Sequence, residues 1–402
     1  MQPVEIKKNI FWVGAVDWDI REFHGYSIPS GTTYNAFLIR DEKIALADTV
    51  KACYSQELLG RIKQLVDPEK IDYLIVNHVE MDHSGALPEI VDIVKPEKIL
   101  CSANGKKAMI AHFHREDWPY EVVANGQEIS LGEKTVRFIE TKMLHWPDSM
   151  FSYIVEDKLL ISQDAFGQHW ATSERFDDQV DQSKLMYEAA KYYANILMLY
   201  SPLVRKLLEN IKAMGLEVDM IAPDHGLIWR SNVGGIIEAW DRWSKGITTN
   251  KALVVYDTMW HSTEAMAHAV ADGLSAEGVC VKVMSLQSSH RSDVVTELLD
   301  AKAMVLGSPT LNNGILPQMA DLLCYVKGLR PTGKIGAAFG SYGWGGESIK
   351  LLTVALEEMK FQMADSGLRV NYVPTADDLA ACTELGRKVA AAMNSASDQV
   401  NS

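Results

Sequence analysis

The stretch NHVEMDHSGALPEI, Asn77 to Ile90, holds four side chains able to bind a metal: His78, Glu80, Asp82 and His83. A second histidine in place of Glu80 would make a better zinc site, so the carboxylate there calls for a reason. His78 closes the apolar run YLIV, and the pattern ALPEIVDIV behind Ser84-Gly85 opens a helix. Donors at the C-terminal mouth of a strand converge on one point while the strand holds the backbone rigid. On an extended loop His78, Glu80 and Asp82 alternate and aim to one side. His83 then points to a neighbouring position, which suits a second metal. Three later residues share the same setting: His145 after VRFIETKML, Asp164 after KLLISQ, and His225 after MIAP in PDHG. Six or seven such donors exceed what one tetrahedral zinc takes. They fit two metals sharing a bridging carboxylate, with positions left open for substrate. Singly, Asp82 or Ser84 would do no more than cap a helix; the set at successive strand ends argues for metal.

A second group of residues lies after Asn250. Three loops follow apolar runs: TMWHSTE after KALVVYD, SPTLNNG after AMVLG, and SYGWGGE after IGAAFG. The first brings Thr258, Met259, Trp260, His261, Ser262 and Thr263 to a helix start, where hydroxyls and free backbone N–H groups cradle a phosphate without lysine. In the second, Ser308, Pro309, Thr310, Asn312, Asn313 and Gly314 form a turn with donors for a ring edge. In the third, Ser341, Tyr342, Gly343, Trp344 and Gly345 combine close backbone approach with aromatic faces. Neither GxGxxG in a strand-turn-helix setting nor GxxxxGK[ST] occurs, so resident NAD or ATP is poorly supported.

The elements that position these groups differ between the two halves. From Ile6 to about Leu46 the chain reads as short strands and turns, then alternates strands with helices such as SQELLGRIKQLV. From residue 251 the pattern is β-α-β-α, the mark of a doubly wound parallel sheet. The polar segment SKGITTNK separates the halves, giving domains 1–250 and 251–402. The 402 residues are 47% hydrophobic and 23% charged, a globular composition. A net charge of −14 argues against nucleic acid as a partner. No apolar run reaches membrane-span length and the N-terminus shows no signal peptide, so a cytoplasmic protein with no membrane association is expected. The cysteines, Cys53, Cys101, Cys280, Cys324 and Cys382, are scattered and never form CxxC pairs.

HxExDH at 78–83, then His145, Asp164 and His225, resembles the metallo-β-lactamase-like superfamily. Most members of that superfamily are zinc hydrolases with His where Glu80 stands. The Glu variant followed by a flavodoxin-like domain resembles the flavodiiron proteins, and the likeness covers essentially the whole chain. WHSTEAMA and SPTLNNGILP look like that family's FMN loops, the first with Trp260 and His261 where flavodoxins have TxTGxT. The resemblance implies a fold: an N-terminal metallo-β-lactamase-like αββα sandwich and a C-terminal flavodoxin-like sheet. It implies FMN and two non-haem irons as cofactors. His78, Glu80, His145 and Asp164 would hold one iron; Asp82, His83, Asp164 and His225 would hold the other, with Asp164 bridging. In some family members the residue matching His83 turns away. Carboxylate at Glu80 favours oxidised iron.

The same resemblance implies an oxidoreductase that reduces O2 to water, NO to N2O, or both, with electrons passed through FMN. It implies a head-to-tail homodimer or a dimer of dimers. With no CxxC pairs for a fused module, the donor is expected to be a separate rubredoxin. His24, Trp146 and Tyr193 would line the diiron pocket, though ordinary packing explains each equally well. Asp224, beside His225 in the sequence, would support a metal-binding side chain rather than bind metal itself. His112, His114, His169, His268 and His290 read as surface or core histidines. A dinuclear zinc hydrolase with an appended flavodoxin-like domain is the rival reading, and a flavin-carrying electron-transfer module with a degenerate metal site is a second.

Overall fold

The computed structural model describes residues 2–398. The chain divides into two compact units. One comprises Met1–His24, Ile28–Tyr193 and Tyr200–Asp241; the other comprises Gly25–Ser27, Ala194–Leu199 and Arg242–Ser402.

The first unit is built on two sheets. The seven-stranded sheet runs in the order Val4–Lys7, Ile10–Trp12, Phe37–Ile39, Ala45–Ala47, Tyr73–Val76, Lys98–Cys101 and Tyr120–Val122. The five-stranded sheet runs Glu128–Ser130, Thr135–Glu140, Met150–Ile154, Leu159–Ile161 and Met220–Ala222. Period-two alternation sorts the side chains of the larger sheet onto two faces. Phe37, Ile39, Ala45, Ala47, Tyr73 and Ile75 join Phe138, Met150, Ile161 and Ala222 of the smaller sheet in one core. Leu38, Leu46, Leu74 and Val76 face the other way. They pack with Leu58, Leu59 and Ile62 of helix Ser55–Ile62, Leu87 and Ile90 of helix Leu87–Val94, and Met109 of helix Ala103–Phe113. Both faces are dry, so these strands carry continuous apolar runs. This is the expected sandwich. The run MFSYI, which pattern reading passed over, pairs antiparallel with Thr135–Glu140 and completes the smaller sheet.

The second unit holds a parallel sheet in the order Cys280–Ser285, Lys251–Tyr256, Ala303–Gly307 and Ile335–Tyr342. Gln362–Met363 and Leu368–Asn371 both pair with the last of these. Numbered by chain order this is the 2-1-3-4-5 flavodoxin order, whose first and third strands part at a crevice that takes a ligand. Helices Ser262–Ala276 and Ala376–Asp398 pack together over one face, burying Met266, Val270, Leu274, Cys382, Leu385 and Val389. The polar tail MNSASDQVNS begins inside the second of these helices, and its last four residues lie outside the described residues. Among the described residues no helix is long and apolar enough to cross a membrane. All five cysteines are free thiols.

Candidate metal centre and cofactor pocket

Strand Tyr73–Val76 delivers His78 and Glu80, but the next residues are not extended. Met81–Ser84 is one helical turn, closed by the His83 and Ser84 amides donating to the Glu80 carbonyl, each at 2.9 Å. The expectation that His78, Glu80 and Asp82 alternate on an extended loop is therefore corrected. The turn rotates Asp82 and His83 away from the strand end, and this separates the donors into two groups. His78, Glu80, His145 and Asp164 form one; Asp82, His83 and His225 form the other. Within each group the donor atoms lie within 4.8 Å of one another.

Asp164 joins the two. Its Oδ2 lies 3.0 Å from His145 Nε2 and 3.3 Å from His78 Nε2. Its Oδ1 lies 3.1 Å from His83 Nε2 and 3.5 Å from His225 Nε2. Glu80 Oε2 is 3.3 Å from both His78 and His145, and Asp82 Oδ2 is 3.1 Å from His225 Nε2. His83 is turned inward, its Nε2 3.1 Å from that of His225. Two features fit metal here. Both Asp82 oxygens and Asp164 Oδ1 are buried without a hydrogen-bond donor among the described residues. The Nε2 atoms of His83 and His225 converge with these carboxylate oxygens, a mixed nitrogen and oxygen donor set of the kind that holds a metal cation.

The opposite ring nitrogens are held from behind. His78 Nδ1 donates to Asp148 Oδ2 at 3.0 Å, and the same oxygen accepts from the Val79 amide at 2.7 Å. His225 Nδ1 donates to the Thr33 carbonyl at 2.7 Å. His83 Nδ1 lies 3.6 Å from Asp224 Oδ2, so Asp224 stands behind His83. Asn35 pins the His225 loop, its Nδ2 donating to the Pro223 and Gly226 carbonyls at 2.7 and 3.0 Å. Asp148, Thr33 and Asn35 were not foreseen. Asp148, close after His145 in HWPD, is the one whose residue type could have signalled a partner for a metal-bound histidine.

Electrostatics concentrate here. Burial opposes charge on His78, His83 and His145, yet the surrounding carboxylates win and hold all three above the ordinary histidine range, His83 at about 10. Burial likewise works against Glu80, Asp82 and Asp164, and the imidazoles hold all three below the carboxylate range. Asp48, fully buried, is pushed up to about 6 although Asn77 donates to both its oxygens. A compact, water-excluded cluster of charges is a functional signature.

The three flanking residues fare differently. His24 Nε2 is 2.8 Å from Glu80 Oε1. The Trp146 ring stands edge-on to His78 at 5.3 Å and parallel to His112 at 6.4 Å. Tyr193 directs its hydroxyl to Ser201 at 3.0 Å and packs edge-on to Trp240 at 5.4 Å. The tyrosine rings beside His225 are those of Tyr34, at 5.9 Å, and Tyr192, at 6.0 Å. His169, expected to be a surface or core histidine, is wholly buried, its ring 4.5 Å from that of His225.

In the second unit the three loops surround one cavity of about 710 Å³. Met259, Trp260 and Ser262 come from the first loop, Pro309, Thr310, Asn312 and Asn313 from the second, and Ser341, Tyr342, Gly343, Trp344 and Gly345 from the third. Tyr372 and Val373, beyond strand Leu368–Asn371, also line it and were not foreseen. The other residues singled out shape the loops. Thr263 Oγ1 meets Ser341 Oγ at 3.1 Å. His261, left-handed at φ 65°, pairs with Glu264. Ser308 Oγ accepts from the Leu316 amide at 3.2 Å. Gly314 exchanges backbone bonds with Leu311. Thr258 Oγ1 is buried with no partner among the described residues. Uncharged donors at the start of helix Ser262–Ala276, beside exposed aromatic faces, fit a phosphate joined to a planar ring.

The ODP family beta lactamase model matches residues 32–226 and the flavodoxin model residues 254–386. A nitric oxide reductase of Moorella thermoacetica is 52% identical, the match covering 97% of this chain and 98% of that protein. The rubredoxin oxygen:oxidoreductase of Desulfovibrio gigas superposes with a TM-score of 0.96 at 46% identity, over 98% and 99% of the two chains. The flavodiiron protein of Giardia intestinalis gives 0.96 at 34% identity, over 99% and 98%. Fold and donor set together define an oxidoreductase with a metallo-β-lactamase-like domain followed by a flavodoxin domain. The chain belongs to the flavodiiron proteins, and its cofactors are FMN and a non-haem diiron centre.

Proposed function

We propose that this chain reduces O2 to water, NO to N2O, or both. His78, Glu80, His145 and Asp164 hold one iron; Asp82, His83, Asp164 and His225 hold the other. The carrying observation is Asp164, whose two oxygens face the two donor groups separately, the placement of a carboxylate shared by two metals. Bound by these residues, iron would bind and reduce a diatomic ligand, and FMN would supply the electrons.

The protein's own part is to hold these groups and keep the site dry. His78, Asp82, His83, Asp164 and His225 are each under 5% exposed, so charge forming near them is poorly screened by water. His24, on the exposed side of Glu80, is the proton-bearing group nearest the rim of the cluster. In the cavity of the second unit Ser262 would hold the flavin's phosphate, and Tyr342, Trp344 and Trp260 would hold its ring. Trp260 and Trp344 are 86% and 91% exposed. Such an apolar rim favours a partner surface, which supports a head-to-tail homodimer. A separate rubredoxin is the electron donor, as the name of the Desulfovibrio gigas relative suggests for that protein.

The test is iron, zinc and flavin content of the purified chain, followed by anaerobic gas consumption with reduced rubredoxin. About two irons and one FMN per chain, with O2 or NO consumed, is the expected result. Zinc in place of iron, and no consumption after reconstitution with ferrous iron and FMN, overturns it in favour of hydrolysis.

A further inference from the structure

The two donor groups differ in what stands behind their histidines. His78 donates from Nδ1 to a buried carboxylate, Asp148 Oδ2, at 3.0 Å. His225 donates from Nδ1 to a neutral carbonyl, Thr33 O, at 2.7 Å. Asp148 is 3% exposed, so its charge acts with little screening. It lies in the same loop as His145. That loop is tied down by Ser102 Oγ, which donates to the Asp148 carbonyl at 2.7 Å and accepts from the Gly105 amide at 2.9 Å. One segment thus supplies a donor to the first group and braces a second donor of that group.

We propose that Asp148 is a positioning residue for His78 and makes the two metal positions electronically unequal. An anion accepting from Nδ1–H fixes the tautomer, leaves Nε2 free for the metal, and raises the ring's donor strength. The position served by His78 is therefore the more electron-rich one, and its metal is the harder to reduce. His83, in the other group, has a carboxylate behind it too, but Asp224 Oδ2 lies at 3.6 Å, beyond a hydrogen bond. The contact that works against the proposal is His24 on Glu80 at 2.8 Å, which withdraws charge from the first group. The His24 side chain is 72% exposed, so water screens it far more than it screens Asp148.

The inference rests on iron occupying both positions, so the wild-type protein is measured first: absence of iron there fails the functional reading, not this one. Then Asp148→Asn, which keeps an acceptor oxygen but loses the charge, is compared with Ser102→Ala, which loosens the loop and keeps the charge. Ferrous-iron affinity is read by anaerobic titration of the metal-free protein, and the two midpoint potentials by an EPR-monitored redox titration. FMN content and the circular dichroism spectrum report on folding.

Asp148→Asn is expected to weaken one iron by about 10- to 100-fold. It should also raise one midpoint potential more than the other, while Ser102→Ala leaves both potentials in place. Unchanged affinities and potentials in Asp148→Asn overturn the proposal. So do equal shifts of both potentials, or the same shift in Ser102→Ala, since either makes the role one of loop packing. If Asp148→Asn does not fold, Asp148→Glu decides: folded protein with an unmoved pair of potentials supports the charge, and folded protein with the lower potential raised overturns it.

Discussion

The metal cluster and the flavin cavity sit in one chain and are built on opposite principles. The cluster is made of buried ionisable side chains, none of which is stable alone in that setting. The imidazoles of His78, His83 and His145 are held above, and the carboxylates of Glu80, Asp82 and Asp164 below, their ordinary ranges because each compensates another. The cavity is open, lined mostly by uncharged donors and aromatic faces, and shaped by backbone turns at Asn312, Asn313 and Gly346 with positive φ. Removing one group from the cluster leaves its neighbours buried and uncompensated. Removing one from the cavity subtracts a single contact. The difference teaches that sensitivity to mutation follows how far a site's charges depend on each other.

The largest break should come at Asp164. Asp164→Ala removes the carboxylate facing both groups, so both irons are expected to be lost and turnover to fall by about 1,000-fold or more. FMN content should stay unchanged. Iron retained at wild-type level would end the bridging assignment. On the other side, Ser262→Ala deletes one hydroxyl at the helix start. Loss of one hydrogen bond to a charged phosphate should weaken FMN binding by about 10- to 100-fold, with iron untouched. Flavin titration of the apoprotein checks this.

A smaller effect is expected at His24, on the edge of the cluster. Its hydrogen bond to Glu80 raises its pKa against the effect of burial. A raised folded-state pKa adds stability that is full below the ordinary value and is lost as pH rises through the raised one. His24→Ala should therefore lower Tm at about pH 6 and hardly at all at about pH 9, with a turnover change below about fivefold, as for an exposed pair. An equal loss at both pH values would remove the ionic reading. The smallest effect is assigned to Tyr193→Phe. Its hydroxyl serves Ser201, so the cost is stability of about 1 kcal/mol with turnover within about twofold. A larger drop in turnover would return Tyr193 to the reaction.

Much of this was readable from residue order. His78, His145, Asp164 and His225 follow strands and the three loops line one cavity, because strands of a twisted sheet present their C-terminal ends to a common crevice. The helical turn Met81–Ser84 was not readable. A four-residue segment carries no periodicity to separate a turn from an extended loop. Nor were Tyr372 and Val373, which reach the cavity because strand Leu368–Asn371 pairs beside Ile335–Tyr342.

By itself, the sequence determined the two domain types and pointed to the side chains that group in the first unit and the loops that line the cavity, since those depend on residue type and local period. Only the tertiary structure decided which side chains group together, that Asp164 faces both groups, and that Asp148 rather than a neutral group stands behind His78. These contacts join residues as far apart in the chain as His83 and His225. Side-chain pairing over such separations is set by how the sheets pack, which no local pattern encodes.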